Sequence, residues 1–398
     1  MKKHAVIVDG YSSGAAIART LSALHFKCLH VHSNAKIPKV YRHTFEPDFY
    51  ISDYYYIPNK TSCIQQVDHF QPQFIIAGSE PGVELADYLS HRLKLPTSNP
   101  IELSACRRNK FLMHERLKSY GIRSLEQYTA NSIIEITNWA KARNKWPVVI
   151  KPLNSAGGEG VSICHNIQQV TTAAKAVLAR PLNMLGLVTG YVLIQEYVEG
   201  TELVVNTVSL DGEPYLCEIW QYGRINATPQ KSIYRTMQPI SSSTSDYQVS
   251  IDYAYQVIKA LGIKYGPAHC EIMMTKEGPV LIECAARMMG ANLPSELTLK
   301  CIEKPQGILT ALSYAAPDQF LKYFRRSIAP VNSKCLVVFL ISQQSGKLVS
   351  FSPRIDEIKS LASFYGMKLA VKLGDPLFHT IDYETCPGLV YLCHQDDS

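Results

Sequence analysis

The sequence predicts a multidomain protein of α/β and α+β class: a Rossmann-like βα domain at the N-terminus, a larger mixed domain, and a small β-rich C-terminal domain. Three observations carry the prediction. A chain of 398 residues is longer than one hydrophobic core normally fills. Its N-terminal part alternates buried-type strands with amphipathic helices, the pattern of parallel βαβ units. Pro-punctuated stretches at Pro96–Pro100 and near Pro330 read as links, and the expected domains are 1–105, 106–310 and 311–398.

Hydrophobic residues make up 46% of the chain and charged residues 19%, so global disorder is not expected. The net charge of +6 is mild, and no Lys/Arg block interleaved with aromatics occurs, so nucleic-acid binding is not predicted. Such a surplus suits an anionic small molecule equally well. Eleven cysteines spread from Cys28 to Cys393 without a C-x-x-C pair, which points to a reducing, cytoplasmic setting and not to a disulfide framework. The opening MKKHAVIVDG reads as a first strand, too short for a signal peptide. Nothing approaches the roughly 20 apolar residues that a membrane span needs.

In chain order, Ala5 to Asp9 is a strand, Gly10-Tyr11-Ser12-Ser13-Gly14 a turn, and AAIARTLSALHF a helix. Cys28 to His32 is the next strand, and PQFIIAGSE ends a later one at Gly78-Ser79-Glu80. Ligands of parallel sheets collect at the carboxyl ends of strands, so Ser13 and Glu80 are candidate small-molecule contacts. They also fit ordinary turn and cap roles. Arg107-Arg108-Asn109-Lys110 opens the helix KFLMHERLKSYGI, which stops at Gly121. A lysine in the first turn runs against the helix dipole, so Lys110 calls for an anion nearby, and a phosphate would serve.

VVIKP and VSICH are strands that bracket Ser155-Ala156-Gly157-Gly158-Glu159-Gly160. Gly157, Gly158 and Gly160 would expose bare N–H groups able to close over phosphate oxygens, with Lys151 bringing a point charge. A plain glycine-rich hairpin tip reads the same way, and neither GxGxxG nor a P-loop motif occurs. YVLIQEYVEGTELVVNTVSL reads as strand, bend at Gly200, strand, which can present main chain to a base edge and a carboxylate to a sugar. Tyr234 to Tyr247 is polar and reads as a loop over the site, and Ile251 to Leu261 as an amphipathic helix.

His269 to Leu293 is the densest stretch. EIMMT and PVLIE form a hairpin around a three-residue loop, Lys276-Glu277-Gly278, which sets Glu271 opposite Glu283. Two carboxylates would then leave one sheet face about 5 Å apart, a destabilising pair unless something positive lies between them. A divalent cation satisfies that arrangement, and Arg287 follows within reach. A solvated hairpin with two unrelated glutamates stays open as the alternative. His269 shares the face of Glu271 and reads either as a phosphate or metal contact or as a satisfied core histidine. Cys270 and Cys284 should face away as small core residues. Gln306 to Ala315 is helical, and the alternation from CLVVF to PGLVYLCH suggests a packing or dimerisation module, so a homodimer is an option.

The order Lys110, Lys151, glycine-rich loop, QEYVEGTE, then E-x11-E-x3-R resembles the ATP-grasp superfamily over roughly residues 106 to 310. HCE followed by IECAARMMG is most similar to L-amino acid ligases of the bacilysin-synthetase type. The resemblance implies an ATP-grasp fold with a glycine-rich lid near 122–190. Lys110 and Lys151 would hold the α- and β-phosphates, and Ser155 to Gly160 would close over the β- and γ-phosphates. Glu196 and Val198 would meet adenine through the main chain, and Glu202 the ribose. Glu271 and Glu283 would bind magnesium, with two ions expected and manganese as a substitute. Arg287 and the N–H of Gly290 would stabilise the tetrahedral oxyanion. Many members carry an asparagine two residues after the second glutamate. Ala285 stands there in this chain, as in the amino-acid ligase branch. Where those ligases carry a bulky aromatic, this chain has Ala291, which implies a roomier first pocket.

The implied activity is ADP-forming ligation of a small-molecule carboxylate to an amine, probed first with amino acids. A ligase for a non-amino-acid substrate in specialised metabolism and a non-catalytic nucleotide-binding protein are the competing expectations.

Overall fold

The computed structural model describes residues 2–58, 60–240, 246–290, 293–325, 334–351 and 354–394. At the N-terminus, β1 (His4–Val8), β2 (Lys27–His32), β3 (Ser52–Tyr55) and β4 (Phe74–Ala77) form a parallel sheet in the order β3-β2-β1-β4. A parallel sheet covered on both faces needs continuous apolar strands, and Ala5, Val6, Ile7 and Val8 are fully buried. Alternation divides them. Ala5 and Ile7 pack on Ile17 and Leu21 of α1 (Ala15–Ala23). Val6 and Val8 pack with Val67 of α2 (Ser62–Phe70) and Leu89 of α3 (Val83–Arg92). The turns after β1 and β4 touch: a Cβ on Gly14 would lie 2.3 Å from the Gly78 carbonyl oxygen, so both loops at the carboxyl edge depend on glycine.

Arg107 ties this layer to the next. Fully buried, it donates to Asp87 Oδ2 (3.1 and 2.7 Å), to Leu261 O (3.0 Å) and to Pro100 O (2.9 Å). Helix α4 (Lys110–Ser119) then starts on Asn109, whose Oδ1 accepts from the N–H of Phe111 (3.0 Å) and Leu112 (3.2 Å). This cap fixes where Lys110 enters the helix. Asn109→Ala is expected to cost about 1 kcal/mol, read as a lower Tm in thermal melts of the apoprotein. An unchanged Tm would show that the cap contributes nothing.

A second sheet, β5 (Gln127–Ala130), β6 (Val148–Pro152), β7 (Ser162–Cys164) and β8 (Val192–Glu196), runs in the order β5-β8-β6-β7. It is backed by α5 (Ile133–Arg143) and α6 (Ile167–Leu178) around Ile136, Val148, Ile150 and Val170. The glycine-rich segment joins β6 to β7.

The largest sheet has eight strands. It comprises β9 (Thr201–Leu210), β10 (Glu213–Thr228), β11 (Lys231–Pro239), β12 (Gly266–Thr275), β13 (Gly278–Ala285), β14 (Lys334–Phe339) and two later strands. β15 (Gly346–Lys347) and β17 (Pro376–Leu377) pair separately, while β16 (Phe364–Leu369) and β18 (Gly388–His394) complete the order β13-β12-β9-β10-β11-β14-β18-β16. The alternation of β9 builds two cores. Leu203 and Val205 face Met113 of α4 and Val257 of α7 (Tyr247–Ala260), whereas Val204 faces Trp220, Val337 and Tyr391. Helices α8 (Ser295–Cys301) and α9 (Gln306–Ala315) follow the hairpin.

One expectation changes. Residues 234–239 are not loop: β11 pairs with β10, and its polar look reflects a strand half-exposed along its length. Residues 241–245 lie outside the described set. Of the C-terminal strands, β14, β16 and β18 extend the largest sheet, because β14 pairs with β11 through Thr236↔Val338 and Met237↔Val337. Among the described residues no helix is long and apolar enough to cross a membrane.

Candidate active site

The hairpin β12–β13 places Glu271 directly opposite Glu283, with Cys270 opposite Cys284. It does so by a different route from the expected three-residue loop. Thr275 pairs with Gly278 around a two-residue turn, and a bulge between Glu271 and Ile272 shifts the register by one. The bulge therefore sets the two acids face to face. Both cysteines point into the core, fully buried, with their Sγ atoms 3.0 Å apart.

Each carboxylate has its own partner. Lys110 Nζ donates to Glu283 Oε1 and to the Ser155 carbonyl, both at 2.8 Å. His269 Nε2 lies 3.3 Å from Glu271 Oε1, and its Nδ1 lies 2.9 Å from Asn206 Oδ1. His269 is buried, and burial lowers its pKa. It belongs to the core and touches the acid at the same time. Burial would raise the Glu271 carboxyl, but the His269 hydrogen bond and the charges of Arg224 and Arg287 together hold it down at about 2.

Lys151, at the end of β6, is buried beside Lys110. Burial first, then the Lys110 charge, push its pKa down to about 8, against the pull of Glu283 and Glu271. The loop after it has positive φ at Gly157, Gly158 and Gly160. It is braced by Glu159, which sequence reasoning passed over. The buried Glu159 carboxylate accepts from Ser155 Oγ (2.6 Å), from the N–H of Met184 (3.0 and 2.9 Å) and from Arg180 (3.2 Å). The C-terminal segment reaches the same loop, since the Tyr383 N–H donates to the Gly157 carbonyl at 3.1 Å.

On the other flank, Glu196 ends β8, with its carboxylate accepting from the Glu126 N–H (2.9 Å) and Arg143 (3.2 Å). Val198 follows, half-buried, just past the strand end. Glu202, expected on ribose, is buried and bridged at both oxygens by Arg224 of β10. Its first partner is a guanidinium, and the pair steadies Arg224, which also stacks 4.0 Å from the Tyr234 ring centroid. No local signal in β10 marks Arg224; only the fold brings it to Glu202 and within electrostatic reach of Glu271.

Arg287 leaves the end of the hairpin toward the N-terminal domain. Its Nε donates to Glu80 Oε2 at 2.6 Å and its Nη1 to the Met288 carbonyl at 2.8 Å. Glu80 is almost wholly buried, and its other oxygen is taken by Arg108. Glu80, expected as a small-molecule contact, thus has both carboxylate oxygens engaged by arginines. Ser13 Oγ donates to the Gly290 carbonyl at 3.4 Å, which joins the first turn of the chain to the loop after Arg287. Ala291 lies outside the described residues.

Comparison with known proteins fits this geometry. Residues 144–295 match the model of an ATP-grasp domain. The chain is 34% identical over 408 aligned residues to dapdiamide A synthase of Enterobacter agglomerans, covering 98% of this chain and 91% of that protein. It is 22% identical to the L-arginine-specific L-amino acid ligase of Bacillus subtilis, covering 73% of this chain and 68% of the relative. The crystal structure of an L-amino acid ligase from Bacillus licheniformis superposes with a TM-score of 0.75 at 16% identity, covering 99% of this chain and 94% of that one. On the strength of the near full-length relative, the chain belongs to the ATP-grasp family, among its ligases.

Proposed function

We propose that the chain is an ADP-forming ligase that activates a small-molecule carboxylate as an acyl phosphate and passes it to an amine, with amino acids as the substrates. One observation supports this above the others. Glu271 and Glu283 face each other from paired strands, with Lys110 and Lys151 behind them and Arg287 at the end of the same hairpin. A carboxylate attacking the γ-phosphate brings anion to anion, so the reaction needs concentrated positive charge.

The donor set suits a hard divalent cation. Two carboxylates supply only oxygen ligands, and no group of three or more metal-binding side chains occurs among the described residues. The remaining positions would fall to nucleotide oxygens and water, as magnesium prefers. Glu271 and Glu283 would hold one or two magnesium ions, with manganese as a substitute. Bound there, the metal supplies charge neutralisation at the phosphoryl oxygens.

The chain's own groups do the rest. Lys110 and Lys151 receive α- and β-phosphate oxygens, and the N–H groups of Gly157, Gly158 and Gly160 line the tail. The main chain at Glu196 and Val198 meets the adenine edge. Arg287 and the Gly290 N–H face the carbon at which the amine adds. Eleven cysteines with no disulfide among the described residues support a cytoplasmic setting.

The test is phosphate release from ATP and magnesium, screened over pairs of amino acids. A pair that releases phosphate well above either partner alone, with an amide product by mass spectrometry, is the expected outcome. Release only with other carboxylates or amines would move the reading to a ligase of specialised substrates. No stimulation by any pair, with nucleotide still bound, would favour a non-catalytic binding protein.

A further inference from the structure

The glycine-rich segment joins two strands of the second sheet, yet it is also held from the largest sheet and its C-terminal connections. Near its start, the Tyr383 N–H donates to the Gly157 carbonyl at 3.1 Å. At its end, Lys231 of β11 donates through Nζ to the Val161 carbonyl, and the Ile163 N–H donates to the Gln230 carbonyl at 3.0 Å. Gly157 and Gly158 line one narrow cleft with Arg224, Tyr234 and Tyr383, so the segment, the C-terminal turn and the Arg224 flank of the site meet at one seam.

The turn that carries Tyr383 is ordered by its own hydrogen bonds. Thr385 Oγ1 accepts from the N–H groups of Ile381 (2.9 Å) and Asp382 (3.1 Å) and donates to Asp382 Oδ1 (2.8 Å), which also accepts from the Thr385 N–H (3.0 Å). Thr380, 2% exposed, ties the base of the turn to Ser342 through two bonds of 2.9 Å. Side-chain bonds of this kind fix a turn before it meets a partner, which spares ordering entropy at the contact. The Tyr383 ring is anchored in the core of the largest sheet and meets Phe339 edge-on, with centroids 6.3 Å apart. A Cβ on Gly157 would lie 3.1 Å from the Tyr383 Cβ, so glycine is what lets the two backbones approach.

A trans peptide is planar, with its C=O and N–H on opposite sides. Fixing the Gly157 carbonyl on the C-terminal turn therefore aims the Gly158 N–H away from that turn. Two consecutive glycines at positive φ would sample many other orientations without such a hold. We propose that the turn 380–386 orients the Gly157–Gly158 peptide toward the nucleotide tail, with Tyr383 as its positioning residue. The inference rests on the ligase reading above, in which the Gly158 N–H meets phosphate. It gives the C-terminal strands a part in phosphoryl transfer, because the peptide is aimed only while the second sheet lies against the largest one.

The experiment uses the full chain, wild type against Tyr383→Ala, Tyr383→Phe and Thr385→Val, with magnesium and a non-hydrolysable ATP analogue. Analogue affinity by calorimetry and hydrogen exchange at residues 155–162 are read well below the lowest melting temperature of the set. In wild type the analogue should slow exchange at 155–162. Tyr383→Ala should weaken the analogue about tenfold and restore fast exchange there, while the strands of the second sheet exchange at wild-type rates. Tyr383→Phe keeps the ring and should recover most of the loss. Thr385→Val loosens the turn without touching the loop and should show a smaller loss of the same kind. For any amino-acid pair that turns over, the Tyr383→Ala loss should fall on KM for ATP and on kcat, with KM for both amino acids unchanged. If wild type binds no analogue, the ligase reading and this one fall together. If wild type binds it and Tyr383→Ala matches wild type in affinity and in exchange, the turn is packing alone and only this proposal falls. A Tyr383→Phe as weak as Tyr383→Ala, or a rise confined to KM for an amino acid, would place the effect on the hydroxyl or in the substrate pocket and overturn it as well.

Discussion

Glu283→Gln should abolish magnesium-dependent use of ATP, whereas Arg287→Ala should still bind nucleotide and magnesium but fail to make amide. The two side chains are four residues apart yet face different chemistry. Glu283 lies opposite Glu271 and takes the Lys110 ammonium at 2.8 Å. Its amide isostere keeps the shape but loses the charge that would hold a divalent cation and orient Lys110, an expected loss of about 10³-fold or more in turnover. Arg287 points away from the glycine-rich loop, toward Glu80. Its loss removes one donor from the developing oxyanion, worth about 10²- to 10³-fold in kcat. Nucleotide affinity by calorimetry and amide formation by mass spectrometry separate the cases. Equal nucleotide affinity and full turnover in both variants would remove the site from this hairpin.

That hairpin was the most legible part of the chain, for a physical reason. Alternation along a strand has a period of two, so the apolar residues of EIMMT and PVLIE already place Glu271 and Glu283 on one face. The route was less legible. A two-residue turn plus a bulge gives the same pairing as a three-residue loop, and bulges leave little mark in sequence. The parallel sheet was readable because strands buried on both faces are apolar throughout. What escaped reading depends on long-range pairing. β14 joins β11 across about a hundred residues, through strand edges that carry no local code. Glu159, Arg224 and Arg108 escaped for the same cause. Each is a single charged residue whose role comes from a distant partner: Met184 for Glu159, Glu202 for Arg224, and Glu80 for Arg108. Glu80 stands out in the sequence by its place at a strand end, but the arginines that take its two oxygens are distant along the chain.

Nucleotide affinity should fall as pH rises through about 8, and Lys151 should be the cause. Its pKa is depressed from 10.5 to about 8, first by burial and then by the neighbouring Lys110. Only the ammonium form attracts phosphate. Above pH 8 binding must therefore recharge the side chain, so Kd should rise by up to about tenfold, or about 1.4 kcal/mol, for each further pH unit. The stability of the nucleotide-free protein should move the other way. Between about 8 and 10.5 the unfolded chain binds a proton at Lys151 that the folded chain has released, so this residue's contribution to stability grows as pH rises across that window. Lys151→Met removes both effects: its nucleotide affinity should be weak and flat from pH 7 to 9.5, and its stability relative to wild type should decline over the same range. These opposed signs distinguish a buried cation waiting for an anion from an ordinary surface lysine, which would titrate near 10.5 and alter neither property below pH 9.5. A wild-type affinity that stays level to pH 9.5, or a slope that survives Lys151→Met, would show that the charge at this position is not what holds the phosphates.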